Sequence, residues 1–258
     1  MNLTKLAKYA LAGWLPGGRR QCIMCGHRVW RFMPYMSCSL GGPGLMHVID
    51  MIGSNPDQFE CPRCGAHDRE RHLLMYLEKT GLLAGFGGKS VLHFAPEKRL
   101  SRRIAATEPT RYVLADLYPG APQVQRVDML QMQFESQSFD VVIANHVLEH
   151  VDDDLKALGE IYRVLKPDGY AILQTPYSAK LHRTWQDSGI DDDAARLQAY
   201  GQSDHVRLFG QDIFARFASS GLLSCVRHHD DVLADVDAAT CGINPKEPLF
   251  LFQRPGDP

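Results

Sequence analysis

The sequence predicts an α/β fold with a mostly parallel sheet, preceded by a small metal-binding module. Three observations predict it. From residue 90 onward, short apolar strands alternate with helical stretches. Near the start, two CxxCG motifs occur within one quarter of the chain. The 258 residues, 45 % of them apolar, are enough for one domain of ordinary size plus a smaller module.

The opening segment, residues 1–20, sets Leu3, Leu6, Ala10, Leu11 and Trp14 at helical spacing beside Lys5 and Lys8. That pattern fits a short helix docked on its own protein better than one lying on a membrane surface. No apolar run reaches the roughly 20 residues that span a bilayer, and the start lacks a signal-peptide pattern. The expectation is therefore a cytoplasmic protein without a membrane span. A net charge of −2 gives no reason to expect nucleic acid as the main partner.

Residues 21–72 read as a zinc ribbon. In "QCIMCGH" and "ECPRCGA", Cys22 with Cys25 and Cys61 with Cys64 pair thiolates two residues apart, each pair followed by a glycine that permits a tight turn. Four thiolates make a closed tetrahedral shell suited to structural Zn2+, and the duplicated knuckle disfavours a redox pair. Seven cysteines without a secretory signal argue against a disulfide framework, and Cys38 reads as a spare thiol. His27 and His67 follow the knuckles closely enough to replace a ligand. Trp30, Phe32 and Tyr35 read as filling the ribbon's thin core in preference to stacking on bases.

Residues 73–89 carry Leu73, Leu74, Leu77, Leu82 and Leu83 with Gly81 as a break, a connecting helix. Residues 90–258 form the main domain, with strands at "VLHFA", "YVLAD", "VQRVD", "FDVVIANH", "YAILQTP", "LLSCVRHH" and "PLFLFQR". Ligands of such sheets bind beyond the carboxyl ends of the strands, near the point where strand order reverses. The residues to inspect are thus 93–97, Asp116, Asp128, Asn145, His146 and 174–177.

With "FDVVIANHVLEHV" and "LKPDGYAILQTP", residues 90–254 resemble a class I S-adenosylmethionine-dependent methyltransferase. "HFAPE", "NHVLEHV" and "DHVRLFG" make the whole chain look like the bacterial subgroup with an N-terminal zinc ribbon. The resemblance implies a Rossmann-like seven-stranded sheet whose last strand runs antiparallel, with S-adenosylmethionine as donor. It also implies a small-molecule acceptor such as a sugar, glycan precursor or secondary metabolite, methylated at a hydroxyl. On the same ground Asp116, with Leu117 beside it, is expected at the ribose, Asp128 and Met129 at the adenine, and Asn145 and His146 at the methyl-transfer centre.

"VLHFAPE" replaces the family's acidic-x-Gly-x-Gly turn, with His93 at the acidic position, Ala95 at the first glycine and Glu97 at the second. Pro96 fixes its own backbone angle and suits a helix's first turn. Glu97 either receives the donor's ammonium group or caps the following helix. Candidate bases are His146, His150, Asp204 and His205, because imidazole is matched to proton uptake near neutral pH. His205 is the leading choice for base or substrate-orienting group, and Arg207 for holding an anionic or polyhydroxylated acceptor. His182, Trp185 and Tyr200 are candidates for a lid or acceptor wall, whereas the aspartates at 191–193 read as a solvated helix start and those at 152–154 as structural, at the start of a capped amphipathic helix, not as a metal site. Two alternatives stand beside this reading: an RNA base methyltransferase using the ribbon for RNA contact, and a non-catalytic binding module of the same fold.

Overall fold

The computed structural model describes residues 3–35 and 43–256; Cys38 lies outside the described residues. The chain divides into two compact units that are not contiguous in sequence. One comprises Met1–Gly42, Gly53–Leu83 and His228–Pro248, the other Pro43–Ile52, Ala84–Arg227 and Leu249–Pro258. A continuous main domain over residues 90–258 is therefore not what the fold contains. Among the described residues, no helix is long and apolar enough to cross a membrane.

In the first unit, helix α1 (Leu3–Trp14) precedes a hairpin that pairs Arg20–Gln21 with Arg28–Val29. The expected docking of α1's apolar face does not occur. Leu3, Leu6, Leu11 and Trp14 are all exposed, and the helix buries only Ala12 and Gly13. Helix α2 (Asp68–Lys79) is buried along most of its length, and its Arg71 explains why a late segment joins this unit. The guanidinium donates to the carbonyls of Gln58, Phe59 and Ala66 on one side and of Cys241 and Gly242 on the other. His72 and Tyr76, one turn apart on α2, reinforce this tie through the Glu247 carboxylate and carbonyl. Phe32 is buried beside the cysteines, while Trp30 and Tyr35 are exposed.

The second unit is built on a seven-stranded sheet in which each strand overlaps a predicted run, the fifth beginning five residues earlier than expected. They are β1 (Ser90–Phe94), β2 (Arg111–Asp116), β3 (Gln125–Arg126), β4 (Phe139–Ala144), β5 (Leu165–Ile172), β6 (Leu223–Ser224) and β7 (Leu251–Gln253). Their spatial order is β3-β2-β1-β4-β5-β7-β6, with β7 antiparallel to both neighbours. Branched and aromatic side chains of β1 and β4, such as Leu92, Phe94, Phe139 and Val142, pack with Leu158, Ile161 and Val164 of α4 (Asp154–Val164) into one core. The order reverses between β1 and β4, so the crevice beyond their carboxyl ends is the place for a ligand. Asp140 fixes this pair of strands at the opposite end, accepting from the Ser90 amide and the Lys166 ammonium, both at 2.8 Å. Gly169 in β5 has no room for a side chain: a Cβ there would lie 2.8 Å from the Lys166 carbonyl.

Candidate active site

The turn after β1 keeps a glycine conformation without the glycine. Ala95 has φ +45°, in the left-handed region, and its amide donates to the Ala115 carbonyl of β2 at 2.8 Å. Alanine pays roughly 1–2 kcal/mol for that conformation, so the replacement has retained the path of the chain at a local cost. Helix α3 (Lys98–Ala105) begins two residues beyond Pro96, which sits ahead of the N-cap and not in the first turn. Glu97 occupies the N-cap position with extended backbone, but its side chain makes no cap hydrogen bond.

The Glu97 carboxylate instead joins a network that crosses three strands. Asn145, directly after β4, donates from Nδ2 to Oε1 at 2.5 Å, and His93 Nε2 lies 3.2 Å from Oε2. His93, fully buried in β1, places Nδ1 2.9 Å from the Tyr112 hydroxyl of β2. Burial, reinforced by the Glu97 charge, raises the Tyr112 pKa well above the ordinary phenol value. Tyr112 is therefore a neutral phenol; because a carboxylate only accepts, His93 carries a proton on Nε2, facing Glu97, and the neutral ring takes the Tyr112 hydroxyl as donor to Nδ1. Asn145 is itself buried, and its Oδ1 has no hydrogen-bond partner.

The other expected cofactor residues lie along the same edge. Asp116 ends β2 half-buried, and its Oδ1 accepts from the Tyr118 amide at 2.8 Å. Asp128, exposed, does the same for the Leu130 amide. Both are Asx-type turns that use one carboxylate oxygen each, leaving the other without a part in the turn. Leu117 is exposed and Met129 is buried in the core.

After Asn145 the chain makes a tight excursion. His146 takes φ +55°, its amide held by the Gln174 carbonyl at 2.7 Å, and a short 3-10 turn, Leu148–His150, follows. This brings His146, Glu149 and His150 together with His205 from the later segment. Glu149 is buried, with Oε1 3.5 Å from His146 Nδ1. Burial opposes its ionisation. The hydrogen bond from His146 and the charges of His146, His150 and His205 prevail, and the carboxyl is lowered to about 2. His205 is buried, and that burial lowers its pKa, with the Glu149 charge opposing. Its Nδ1 lies 3.1 Å from the Tyr200 carbonyl, which requires a proton there and leaves Nε2 as a lone pair without a partner. His150 and His205 meet edge to face, ring centroids 4.7 Å apart.

Two expected roles change. Arg207 is fully buried with four of its five N–H donors taken: it gives hydrogen bonds to the Leu148, Val151 and Asp152 carbonyls and to Gln186 Oε1, and its Nη2 also lies 3.6 Å from Asp154. It clamps the excursion that carries Glu149 and His150. Asp204 is exposed, and both its carboxylate and its carbonyl face His150 Nδ1, at 3.3 and 3.2 Å. It orients an imidazole and is not itself at the centre. Trp185 packs edge to face on buried Tyr200 and pairs with Leu208, while His182 is exposed. Asp153 and Asp192 cap their helices as expected.

In the first unit, the Sγ atoms of Cys22, Cys25, Cys61 and Cys64 lie within 4.8 Å of one another, with Cys22 and Cys64 3.8 Å apart. A tetrahedron of thiolates about 2.3 Å from zinc has edges of about 3.8 Å, so the set fits such an ion. Gly26 and Gly65, φ +72° and +74°, close the two knuckles by donating to the Cys22 and Cys61 carbonyls. His67 stacks on Phe59 and stands outside the sulfur cluster.

Sequence reasoning missed Tyr112 and Glu149. Glu149 was visible as the acid between two histidines in "HVLEHV"; Tyr112 carried no signal beyond strand position.

Residues 82–173 match the family model described as a methyltransferase domain. The phthiotriol/phenolphthiotriol dimycocerosates methyltransferase of Mycobacterium leprae (strain TN) is 26 % identical over 198 residues, 69 % of this chain and 70 % of that protein. The demethylmenaquinone methyltransferase of Lactobacillus johnsonii is 44 % identical over 54 residues, 20 % of this chain and 22 % of that one. The solved S-adenosylmethionine dependent methyltransferase from Mesorhizobium loti superposes with a TM-score of 0.50 at 15 % identity, over 69 % of this chain and 96 % of its own. The [4+2]-cyclase SpnF shares the fold equally, with a TM-score of 0.50 at 14 % identity over 78 % and 84 % of the two chains.

Proposed function

We propose that this chain, an S-adenosylmethionine-dependent methyltransferase, transfers the donor's methyl group to a hydroxyl of a small-molecule acceptor. The observation that carries the reading is the Tyr112–His93–Glu97–Asn145 network beyond β1 and β4. It sets a carboxylate and an unpartnered buried amide oxygen at the switch point, a pair of acceptors suited to an ammonium group. Bound there, the donor supplies an electrophilic methyl group on a sulfonium.

Asp116 holds the ribose with its other carboxylate oxygen, and Glu97 receives the charge that the family's acidic residue would take at position 93. Four residues beyond Asn145, the Glu149 and His205 side chains form a polar end for the acceptor's oxygen. His205, buried at that end with a pKa lowered by burial, helps to position that oxygen. A hydroxyl-bearing acceptor agrees with the triol in the name of the mycobacterial relative. We assign Cys22, Cys25, Cys61 and Cys64 to a structural zinc ion, which makes the N-terminal module a zinc ribbon.

Calorimetry with S-adenosylmethionine tests the donor, and release of S-adenosylhomocysteine with a panel of hydroxylated small molecules tests the acceptor. Saturable donor binding is expected; none at millimolar donor would sink the reading. Donor binding without turnover on any panel member would place the chain with fold relatives that run other chemistry. Metal analysis of fresh protein should give one zinc per chain, and less than about half an equivalent refutes the ribbon.

A further inference from the structure

We propose that Glu149, His150 and His205 bind one divalent first-row metal ion at the acceptor end of the site. One ligand atom from each lies within 4.8 Å of those of the other two. Two of the three side chains present buried atoms that nothing satisfies: Glu149 Oε2 and His205 Nε2 have no hydrogen-bond partner, in residues only 1 % and 5 % exposed. Leaving such atoms unpaired costs about 1–3 kcal/mol each. No hydrogen bond joins Glu149 to His150 or His205, so proximity is not explained by pairing within the cluster.

The surrounding contacts are those that prepare imidazoles for a metal. His205 directs Nδ1–H to the Tyr200 carbonyl, which turns the lone pair of Nε2 into the cluster. His150 directs Nδ1 to the Asp204 carbonyl and carboxylate, leaving its Nε2 for the ion. Metal-bound histidines characteristically donate their second N–H to a carbonyl or carboxylate in this way. Arg207 fixes the turn bearing two of the three ligands. Two neutral imidazoles and one carboxylate suit Mn2+, Fe2+, Co2+ or Zn2+ with open positions, unlike the closed four-thiolate set. Those positions give the acceptor's hydroxyl oxygen a Lewis-acid partner. That role rests on the methyl-transfer reading, whereas the ion site itself does not.

Mn2+ is the probe, because it favours nitrogen and oxygen ligands over thiolates. Full-length protein freed of loosely held metal with a chelator is titrated with Mn2+, and free ion is read by its electron paramagnetic resonance signal. Saturable uptake of one Mn2+ per chain is expected, weakened at least tenfold in Glu149→Gln and His205→Ala. His150→Ala, at a partly exposed position, should show the same loss and keeps the test decisive if the buried variants fail to fold. No uptake up to millimolar Mn2+, or uptake indifferent to His150→Ala, overturns the proposal. Calorimetry of the donor on the same preparation separates the two readings: donor binding without Mn2+ uptake sinks only the ion site, and the reverse sinks only the donor site.

Discussion

Replacing Arg207 by alanine should destabilise the protein heavily while telling little about acceptor recognition. Its guanidinium is fully buried and donates at 2.5–3.0 Å to the Leu148, Val151 and Asp152 carbonyls and to Gln186. Removing it strands those acceptors, at about 1–3 kcal/mol for each that water cannot reach. It also removes a positive charge from Asp154, although Arg216 still pairs that carboxylate at 2.6 Å. Breaking a buried charged cluster by deleting one partner costs about 3–5 kcal/mol, and that is the expected loss here. With a urea slope of about 1–3 kcal/mol per molar, the midpoint falls by at least about 1 M. Trp185, edge to face on Tyr200 in the same unit, supplies the fluorescence readout. Lysine should recover only part of the loss, since one ammonium cannot span three carbonyls. A midpoint within about 0.3 M of wild type, with KM for the acceptor raised, would refute the clamp and restore a substrate contact.

Three further substitutions test the other end of the site and its frame. Glu97→Gln removes the charge while keeping the shape, and loss of a charge-assisted contact worth about 1.5–3 kcal/mol should weaken donor binding roughly tenfold to a hundredfold by calorimetry; a change under about twofold would return Glu97 to a purely structural role. Ala95→Gly relieves the left-handed strain, roughly 1–2 kcal/mol, against a chain-entropy loss of about 0.5–1 kcal/mol, so thermal unfolding should show a slight gain, and a lower Tm contradicts the strain. Burial opposes ionisation of Asp140, but the Lys166 and Ser90 hydrogen bonds prevail and hold its pKa below the ordinary value. Its contribution is therefore full above the unfolded pKa of about 3.9 and lost as pH falls through the folded one. Wild type should exceed Asp140→Asn by about 1–2 kcal/mol at pH 7, and urea titrations that show the same gap at pH 3 would disprove the pairing.

The sheet was legible because its strands are apolar runs bounded by turn residues, and β1, β4 and β5 need no partner to be recognised. The four cysteines were legible because metal spacing is local. What escaped the sequence depends on contacts between distant segments. Arg207 reads as a free cation in "DHVRLFG", and only burial against carbonyls 55–59 residues earlier makes it a clamp. The 228–248 segment follows six of the seven strands, yet Arg71 and His72 draw it into the first unit. Capping and ligand binding by Glu97 looked alike in the sequence, since both need an acid at a helix start; its side chain makes no cap hydrogen bond and turns to Asn145 instead. The exposed leucines of α1 have the spacing of a packed face, and nothing local distinguishes the two states.

The excursion from Asn145 to His150 carries, on six consecutive positions, one residue proposed for the donor and two proposed for the acceptor, and it is pinned at Gln174 and by Arg207. On the proposed reading, donor and acceptor would share this one short ruler as part of their support. Inserting or deleting a residue within it would then disturb both partners at once, while a change in Glu97 or His205 would disturb only one.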